Sequence, residues 1–478
     1  MFEKRYEFSG SFEDRCELDS VPKSLITLVQ MILGDSCLDE KLNDSDSSRT
    51  HISVAIAQLL YFNSVKRSRT NSSIRHIKER EAPLPIYISM LIHAKTRIRD
   101  LIDTLSNLGL CVSYHRLMTI STDLANNVCS KYQEDKVVCP LNLLKEVFTC
   151  SAVDNIDHNP SSRTAKDSFH GTGISLMQFP TSERPGVQRE RVQQDIPRQS
   201  KILPLPQSYT LVHPVTKTLE PVVPTKACPI NLDKSIIDVS MRKEHDWLSH
   251  LSEMVSKESL NGGDYVSWAA FSASKQPSLS ITPSTIALLP LFRENAHSTC
   301  MMVHAMQMAS NAIHHLNPSQ TPVIVVDQPL YAICKQIQWT WPESYGEDKV
   351  VVMMGGLHIE MNLLKLLGDW LRGSGWITAL IQANITTSGR AESMLSGSHV
   401  TQTRYAHQVS AGTFTILLKR AYNQYCKNNS EALSYDEWLD RHSKNVPQFK
   451  FWITTMDVES MVLQFILSIR ERDFALYI

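Results

Sequence analysis

Residues 147–157 read VFTCSAVDNID, and the reading of this stretch decides the fold. Seven residues of mostly β-branched, aromatic or small apolar character are followed by Asp154, Asn155 and Asp157, then by His158-Asn159-Pro160. The composition predicts a strand, NPSSRTAKD (159–167) a turn, and SFHGTGISLMQF (168–179) a returning strand, so the three together predict a hairpin. Asp157 and Asn159 are common turn formers and have a local explanation there. Asp154 falls inside the apolar run and has none. An unpaired carboxylate on a buried strand is costly without a neutralising partner, which makes Asp154 the first candidate site residue.

Two further runs share the strand character. PVIVVD (322–327) and KVVVMM (349–354) are short and continuously apolar, as expected of strands covered on both faces. Each ends in chemistry. Asp327 closes the first, where capping of the following helix is the alternative reading, with Pro329 as an early helical residue. Gly355-Gly356 follows the second and opens the amphipathic LHIEMNLLKLLGDWL, with His358 and Glu360 in its first turns. A solvated helix start favoured by the dipole is the alternative for that pair. Carboxylates from adjacent strand ends can hold paired Mg²⁺ ions about 3.5–4 Å apart for in-line phosphoryl transfer. Asp154 and Asp327 are accordingly the candidate metal ligands, with Asp157, His358 and Glu360 in support.

The rest of the chain predicts helices around this core. Of 478 residues, 42% are hydrophobic and 20% charged, with a formal net charge of −1. Such a balance supports a sizeable core and gives no whole-molecule attraction to nucleic acid or membrane. Six basic residues nevertheless crowd the segment 66–80: Lys66, Arg67, Arg69, Arg75, Lys78 and Arg80. A solvated loop and helix face is one reading, a phosphate-contacting patch on DNA the other. Pro83 and Pro85 open LPIYISMLIHAKTRIRDLIDTLSNLG, a helix that stops at Gly109, and another helix covers about 114–131.

The organisation expected is a poorly ordered lead-in over 1–50, a helical region over 51–140, and an α/β core formed by 141–180 and 320–372. A proline-rich linker or insertion covers 181–235, a helical insertion 236–319, and a C-terminal helical region 373–478. His399 and His407, with Arg404 between them, read as a surface cluster on one helical face. None of the ten cysteines forms a C-x-x-C pair, so a zinc ribbon or disulfide framework is not expected. The charged start MFEKRYEFSGSFEDRC and the absence of an 18-residue apolar run predict an intracellular protein, neither secreted nor membrane-spanning, with the nucleus as a candidate compartment. Phosphate-loop, dinucleotide, nucleophile-elbow and HExxH motifs are all absent, so no small-molecule cofactor is implied. Nothing in the sequence addresses oligomeric state.

Four long segments carry a resemblance: PLPIYISMLIHAKTRIRDLID (83–103), SAVDNIDHNPSSRTAKDSFHGTGIS (151–175), VVDQPLYAICKQIQWTWPESYGEDK (325–349) and GGLHIEMNLLKLLGDWLRGSGW (355–376). Together they resemble a family of uncharacterised animal proteins of cnidarian and fish type, present in many copies as mobile-element genes are. That family is distantly similar to a fungal domain of unknown function with a strand ending Asp-Asn, a strand ending Asp-Gln, and Gly-Asp-x-His opening a helix. The order implies a ribonuclease-H-like transposase core with a large insertion after the hairpin. By position, the resemblance assigns Asp154 as the first acid, Asp327 as the second and His358 as the histidine. Gly356 stands where the fungal motif has its acid. A third carboxylate would then come from Glu459, on WITTMDVESMVLQFIL (452–467), after a helical insertion as in hAT-like transposases.

The fold class expected is therefore a ribonuclease-H-like mixed α/β sheet with an insertion, flanked by helices and predominantly helical overall. The last domain is expected to be truncated. The function expected is that of a transposon-derived protein with a degenerate or incomplete nuclease core. If active, it would join or cut DNA with Mg²⁺ through Asp154, Asp327 and Glu459. The alternatives are a non-catalytic module that binds nucleic acid or protein, and a remnant without function.

Overall fold

A computed structural model of the 478-residue chain describes residues 8, 12, 15–33, 47–64, 66–67, 73–74, 80–158, 169–189, 202–217, 219, 246–254, 267–275, 283–471 and 473–477. They form two compact units. The first comprises Met1–Leu141 with Arg189–Leu211, and the second Asn142–Gln188 with Val212–Ile478. The described residues are predominantly helical, with one five-stranded mixed sheet and a two-stranded ribbon.

The first unit is built on helices α1 (Lys23–Ile32), α2 (Ser47–Asn63), α3 (Pro83–Thr96), α4 (Arg99–Asn107) and α5 (Tyr114–Asp135). The single helix expected from Pro83 to Gly109 is broken. Arg97 adopts φ 56° and its amide bonds back to the His93 carbonyl, a left-handed cap that ends α3 before α4 begins. The fold of the chain at that break lets Ile86, Ile102, Leu117 and Ile120 close one core with Phe62 and Val112. Glu81 is buried and takes two hydrogen bonds from Arg116, at 2.6 and 2.9 Å. Part of the proline-rich stretch returns to this unit: Arg189 donates to the carbonyls of Cys139 and Pro140, and the Leu203 amide donates to Asn126 Oδ1 at 2.7 Å.

In the second unit, the hairpin is present as strands β3 (Thr149–His158) and β4 (Phe169–Gln178), following the ribbon strands β1 (Lys66–Arg67) and β2 (Ser73–Ile74) of the first. β3 pairs antiparallel with β4 from Thr149↔Gln178 to His158↔Phe169. Strands β6 (Val323–Val326) and β7 (Val351–Met354) add in parallel beside β3, and with β5 (Thr285–Leu288) beside β4 the order across the sheet is β5-β4-β3-β6-β7. Counted from the first strand of the sheet, this is 3-2-1-4-5, three antiparallel strands and then two parallel ones.

Strand β5 (Thr285–Leu288) was not expected, because the whole of 236–319 reads as a helical insertion. TIAL is too short to show periodicity between Pro283 and Pro290, and its pairing with Ser175–Gln178 is what makes it a strand. The core therefore includes part of the region assigned to the insertion.

The two faces of the sheet differ. Val153, Ile174, Leu176, Ile324 and Val326 lie on one face and are buried beneath helices α7 (Thr299–Leu316) and α8 (Gln328–Thr340). On the other face Ile286 and Leu288 of the edge strand are 62% and 55% exposed, and Asp154 is exposed too. The expectation that the parallel strands are covered alike on both faces does not hold, since Val351 of β7 is also exposed.

Beyond β7 come α10 (Gly356–Leu371), after the short α9 (Pro342–Tyr345), then α11 (Trp376–Gln382), α12 (Ser388–Leu395), α13 (Val400–Asn428), α14 (Tyr435–Asn445) and α15 (Pro447–Glu471). A short helix α6 (Trp268–Lys275) precedes the sheet's edge strand. Leu364, Leu367, Ala411, Val462, Leu463, Ile466 and Leu467 form a common core with Trp247, Trp268 and Phe271. Among the described residues α15 is the one helix long and apolar enough to cross a membrane by length and composition. Val462, Leu463, Ile466 and Leu467 of this helix are buried in that core, whereas Met461 and Ile469 are exposed. Gly368 lets α10 approach its neighbour closely, for a Cβ there would lie 2.0 Å from the Leu395 carbonyl oxygen.

Candidate functional site

Asp154 and Asp327 meet at one place in the sheet. β3 and β6 run parallel in register, the last pair being Val153↔Val326, and each of those buried valines is followed directly by the acid. The carboxyl ends of parallel strands are where open α/β sheets bind ligands. Asp154 stands at the point where β6 ends and β3 continues beside β4 opposite Gly173. Its Oδ1 accepts from the Asn155 amide at 2.8 Å. Asp327 has extended backbone and caps α8, its Oδ1 accepting from the Leu330 amide at 2.9 Å, so the capping alternative is the one its first oxygen follows.

The start of α10 is fastened to the same edge. The Gly355 amide donates to the Val326 carbonyl at 2.8 Å, one residue before Asp327, and places half-buried His358 one turn into the helix. Asp154 thus lies on β3 beside the end of β6, Asp327 directly follows β6, and His358 stands in the first turn of the helix after β7. Asp157 is not in a turn. It pairs with His170 within the hairpin, because β3 runs on to His158; its side chain lies outside the described residues, as do residues 159–168.

The remaining acids are engaged elsewhere. Glu360 is no solvated helix start: it is buried, and both its oxygens are held by Arg404, Nε to Oε1 at 2.7 Å and Nη2 to Oε2 at 2.8 Å. Glu459 is fully buried, and its Oε1 lies 2.8 Å from His407 Nδ1. The His407 ring stacks on Trp376 with centroids 4.8 Å apart, and Trp376 donates to Ser410. Burial pushes the Glu459 carboxyl above its ordinary range, opposed by the hydrogen bond and charge of His407. Burial also lowers the Arg470 guanidinium, helped by the like charge of Arg404 and opposed by Glu360.

Two expectations are corrected by these contacts. Glu459 belongs to the helical core with its carboxylate committed to His407, and the structure does not bring it to Asp154 and Asp327. His407 and Arg404 are not a surface cluster, since each holds a buried carboxylate from another helix. The signal in the sequence was weak. Arg404 and His407 are three apart and so share a helical face, but their partners lie 44 and 52 residues away.

Gly356 lies against α15: a Cβ at this position would lie 2.8 Å from Ile469 Cδ1 and 3.3 Å from Cγ1. Among the described residues no three His, Cys, Asp or Glu side chains converge as metal ligands. Asp154 and Asp327 each have one oxygen accepting a backbone amide, and among the described residues no further carboxylate joins them to bridge or balance a second ion.

The basic tract is only partly described. Lys66 and Arg67 lie on β1 of the ribbon, paired with Ile74 and Ser73. Arg80 donates to Ser64 Oγ. The side chains of Lys66 and Arg67, and all of Arg69, Arg75 and Lys78, lie outside the described residues.

One family model matches part of the chain. Residues 267–433 match a domain of unknown function (DUF8702). This span contains Asp327, His358, Glu360, Arg404 and His407, and excludes Asp154 and Glu459. No curated protein and no solved structure matches the chain.

Proposed function

We propose that the chain is a mobile-element-derived protein whose ribonuclease-H-like core has lost its full catalytic set and now serves to bind nucleic acid without cutting it. One observation carries the reading: Ile469 packs against Gly356 where a third acid would stand, while Glu360 and Glu459 are spent on Arg404 and His407. Asp154 and Asp327 remain side by side as the residue of the original site. The basic residues Lys66 to Arg80 supply the phosphate affinity, six positive charges within fifteen residues.

The full chain, incubated with end-labelled single-stranded DNA, duplex DNA and RNA in Mg²⁺ or Mn²⁺, is expected to yield no more product than an Asp154→Asn/Asp327→Asn double variant. Cleavage that needs the divalent ion and disappears in the double variant would overturn the reading. Fluorescence anisotropy on the same oligonucleotides should show binding that weakens steeply with salt and with neutral replacement of Lys66 and Arg67. Salt-independent binding, or none, would remove the nucleic-acid half of the proposal.

A second reading, a single divalent cation held by Asp154 and Asp327, is favoured by the register that sets the two acids on neighbouring strands. Calorimetric titration of Mn²⁺ into the chain and into Asp154→Asn decides it: equal binding in both rules Asp154 out as a ligand.

A further inference from the structure

The end of the sheet opposite Asp154 and Asp327 carries a cleft of about 300 Å³, the lower limit for small-molecule sites. Its walls are the last turns of α7, the loop entering β6 and the segment from α9 into β7. The lining is rich in uncharged hydrogen-bonding groups: Gln307 and Ser310 from α7, Ser319 and Thr321 from the loop, and Ser344 and Tyr345 from α9. Its two fully charged residues, Asp348 and Lys349, are ion-paired at 3.2 Å and leave the cleft without net charge. His314 is the other titratable group besides Tyr345 on the wall.

One atom in this wall is out of balance. Ser310 is only 8% exposed, and its hydroxyl is buried with no hydrogen-bond partner. A helical serine ordinarily returns its hydroxyl to the carbonyl one turn back, as Ser410 does to Ala406 at 3.0 Å. Leaving a buried hydroxyl unmatched is unfavourable, and a group that can pair with it gains that lost interaction. On the same lining the Tyr345 hydroxyl donates to Gln307 Oε1 at 3.3 Å, long for such a bond and readily exchanged for one to a ligand.

We infer that this cleft binds a neutral sugar ring, whose hydroxyls pair with Ser310 and the neighbouring hydroxyls and whose flat C–H face lies against Tyr345 and the prolines at 318 and 322. A charged ligand is disfavoured by the paired Asp348 and Lys349, and a purely apolar one would leave the hydroxyl-lined wall unmatched. The sugar can be a free saccharide or the ribose of a nucleoside. The site is independent of the reading proposed above, because it uses none of the residues at the acidic edge.

Ligand-observed NMR and calorimetry on the full chain, with D-ribose, D-glucose, uridine and inorganic phosphate as probes, test the inference. At least one sugar-containing probe is expected to bind, with a dissociation constant near the millimolar range. Uridine binding more tightly than ribose assigns the site to a nucleoside, and glucose or ribose binding as well as uridine assigns it to a free sugar. Ser310→Ala should weaken that binding about tenfold while leaving the melting temperature unchanged or raised, since it removes an unmatched buried hydroxyl. Failure of all three sugar probes, binding of phosphate alone, or sugar binding untouched by Ser310→Ala would each overturn the assignment. So would a lowered melting temperature in Ser310→Ala, because it would mean the hydroxyl already serves the fold.

Discussion

Asp154 and Asp327 on one side, and Glu360 and Glu459 on the other, are the same chemistry placed in two settings. The aspartates sit at the open end of adjacent strands, where each carboxylate spends one oxygen on a nearby backbone amide. The glutamates sit inside the helical part of the same unit, each engaged by a basic side chain from a distant turn. A carboxylate beside a solvated strand end is available for a ligand. One that has been desolvated against Arg404 or His407 is a structural group, because withdrawing it would leave its partner buried and unmatched. The contrast is why four acids that look alike along the chain separate into two that can form a site and two that cannot.

The largest effect expected is on the structural side. Glu360→Ala removes a bidentate acceptor and leaves Arg404 largely buried without it, a loss of about 3 kcal/mol by urea unfolding. A loss below about 1 kcal/mol would break the comparison, since Glu360 would then behave as a surface acid. The buried pair of Glu459 makes a prediction in pH. Its carboxyl is raised in the folded state, so the protonated form is favoured by folding. That contribution is fully present below the ordinary carboxylate range and is lost as pH rises through the raised value. The difference in urea midpoint between wild type and Glu459→Gln should therefore move against the wild type as pH increases. A difference that stays flat across the acid and neutral range would show that burial does not set this carboxyl's protonation.

The aspartates should cost less. Asp327→Ala deletes the cap of α8 and is expected to destabilise by about 1 kcal/mol, with Asp327→Asn retaining most of that stability because asparagine also caps. Equal losses in the two would point to a role for the charge itself. Smallest of all, Asp154→Asn should leave stability within about 0.5 kcal/mol, as expected of an exposed carboxylate. A loss of several times that size would place Asp154 with the glutamates and against any site at the sheet edge.

Much of the core was legible because its signals are local. The β-branched and aromatic composition of 147–157, and the continuous apolar runs before Asp327 and Gly355, announced β3, β6 and β7, and the turn residues between 159 and 167 announced a returning strand. The helix from Pro83 was legible as far as Arg97, where a left-handed residue with no glycine to mark it ended the element. β5 was not legible, since four residues between prolines carry no period of their own and become a strand only by pairing with β4. The candidate site divides in the same manner. Asp154, Asp327 and His358 stand next to strand ends and could be named from position. The fate of Glu360 and Glu459 could not, because the side chains that consume them lie 44 and 52 residues away and one of them, His407, reads as a surface residue.

What the sequence determined by itself was most of the elements of the core and the acids near their ends, since hydrophobic period and turn chemistry act over a few residues. What the tertiary structure alone decided was which acids remain available. Parallel register brought Asp154 beside Asp327, helix packing gave Glu360 to Arg404 and Glu459 to His407, and Ile469 filled the space next to Gly356. A carboxylate's role follows from its solvation and its partner, and both are properties of the fold.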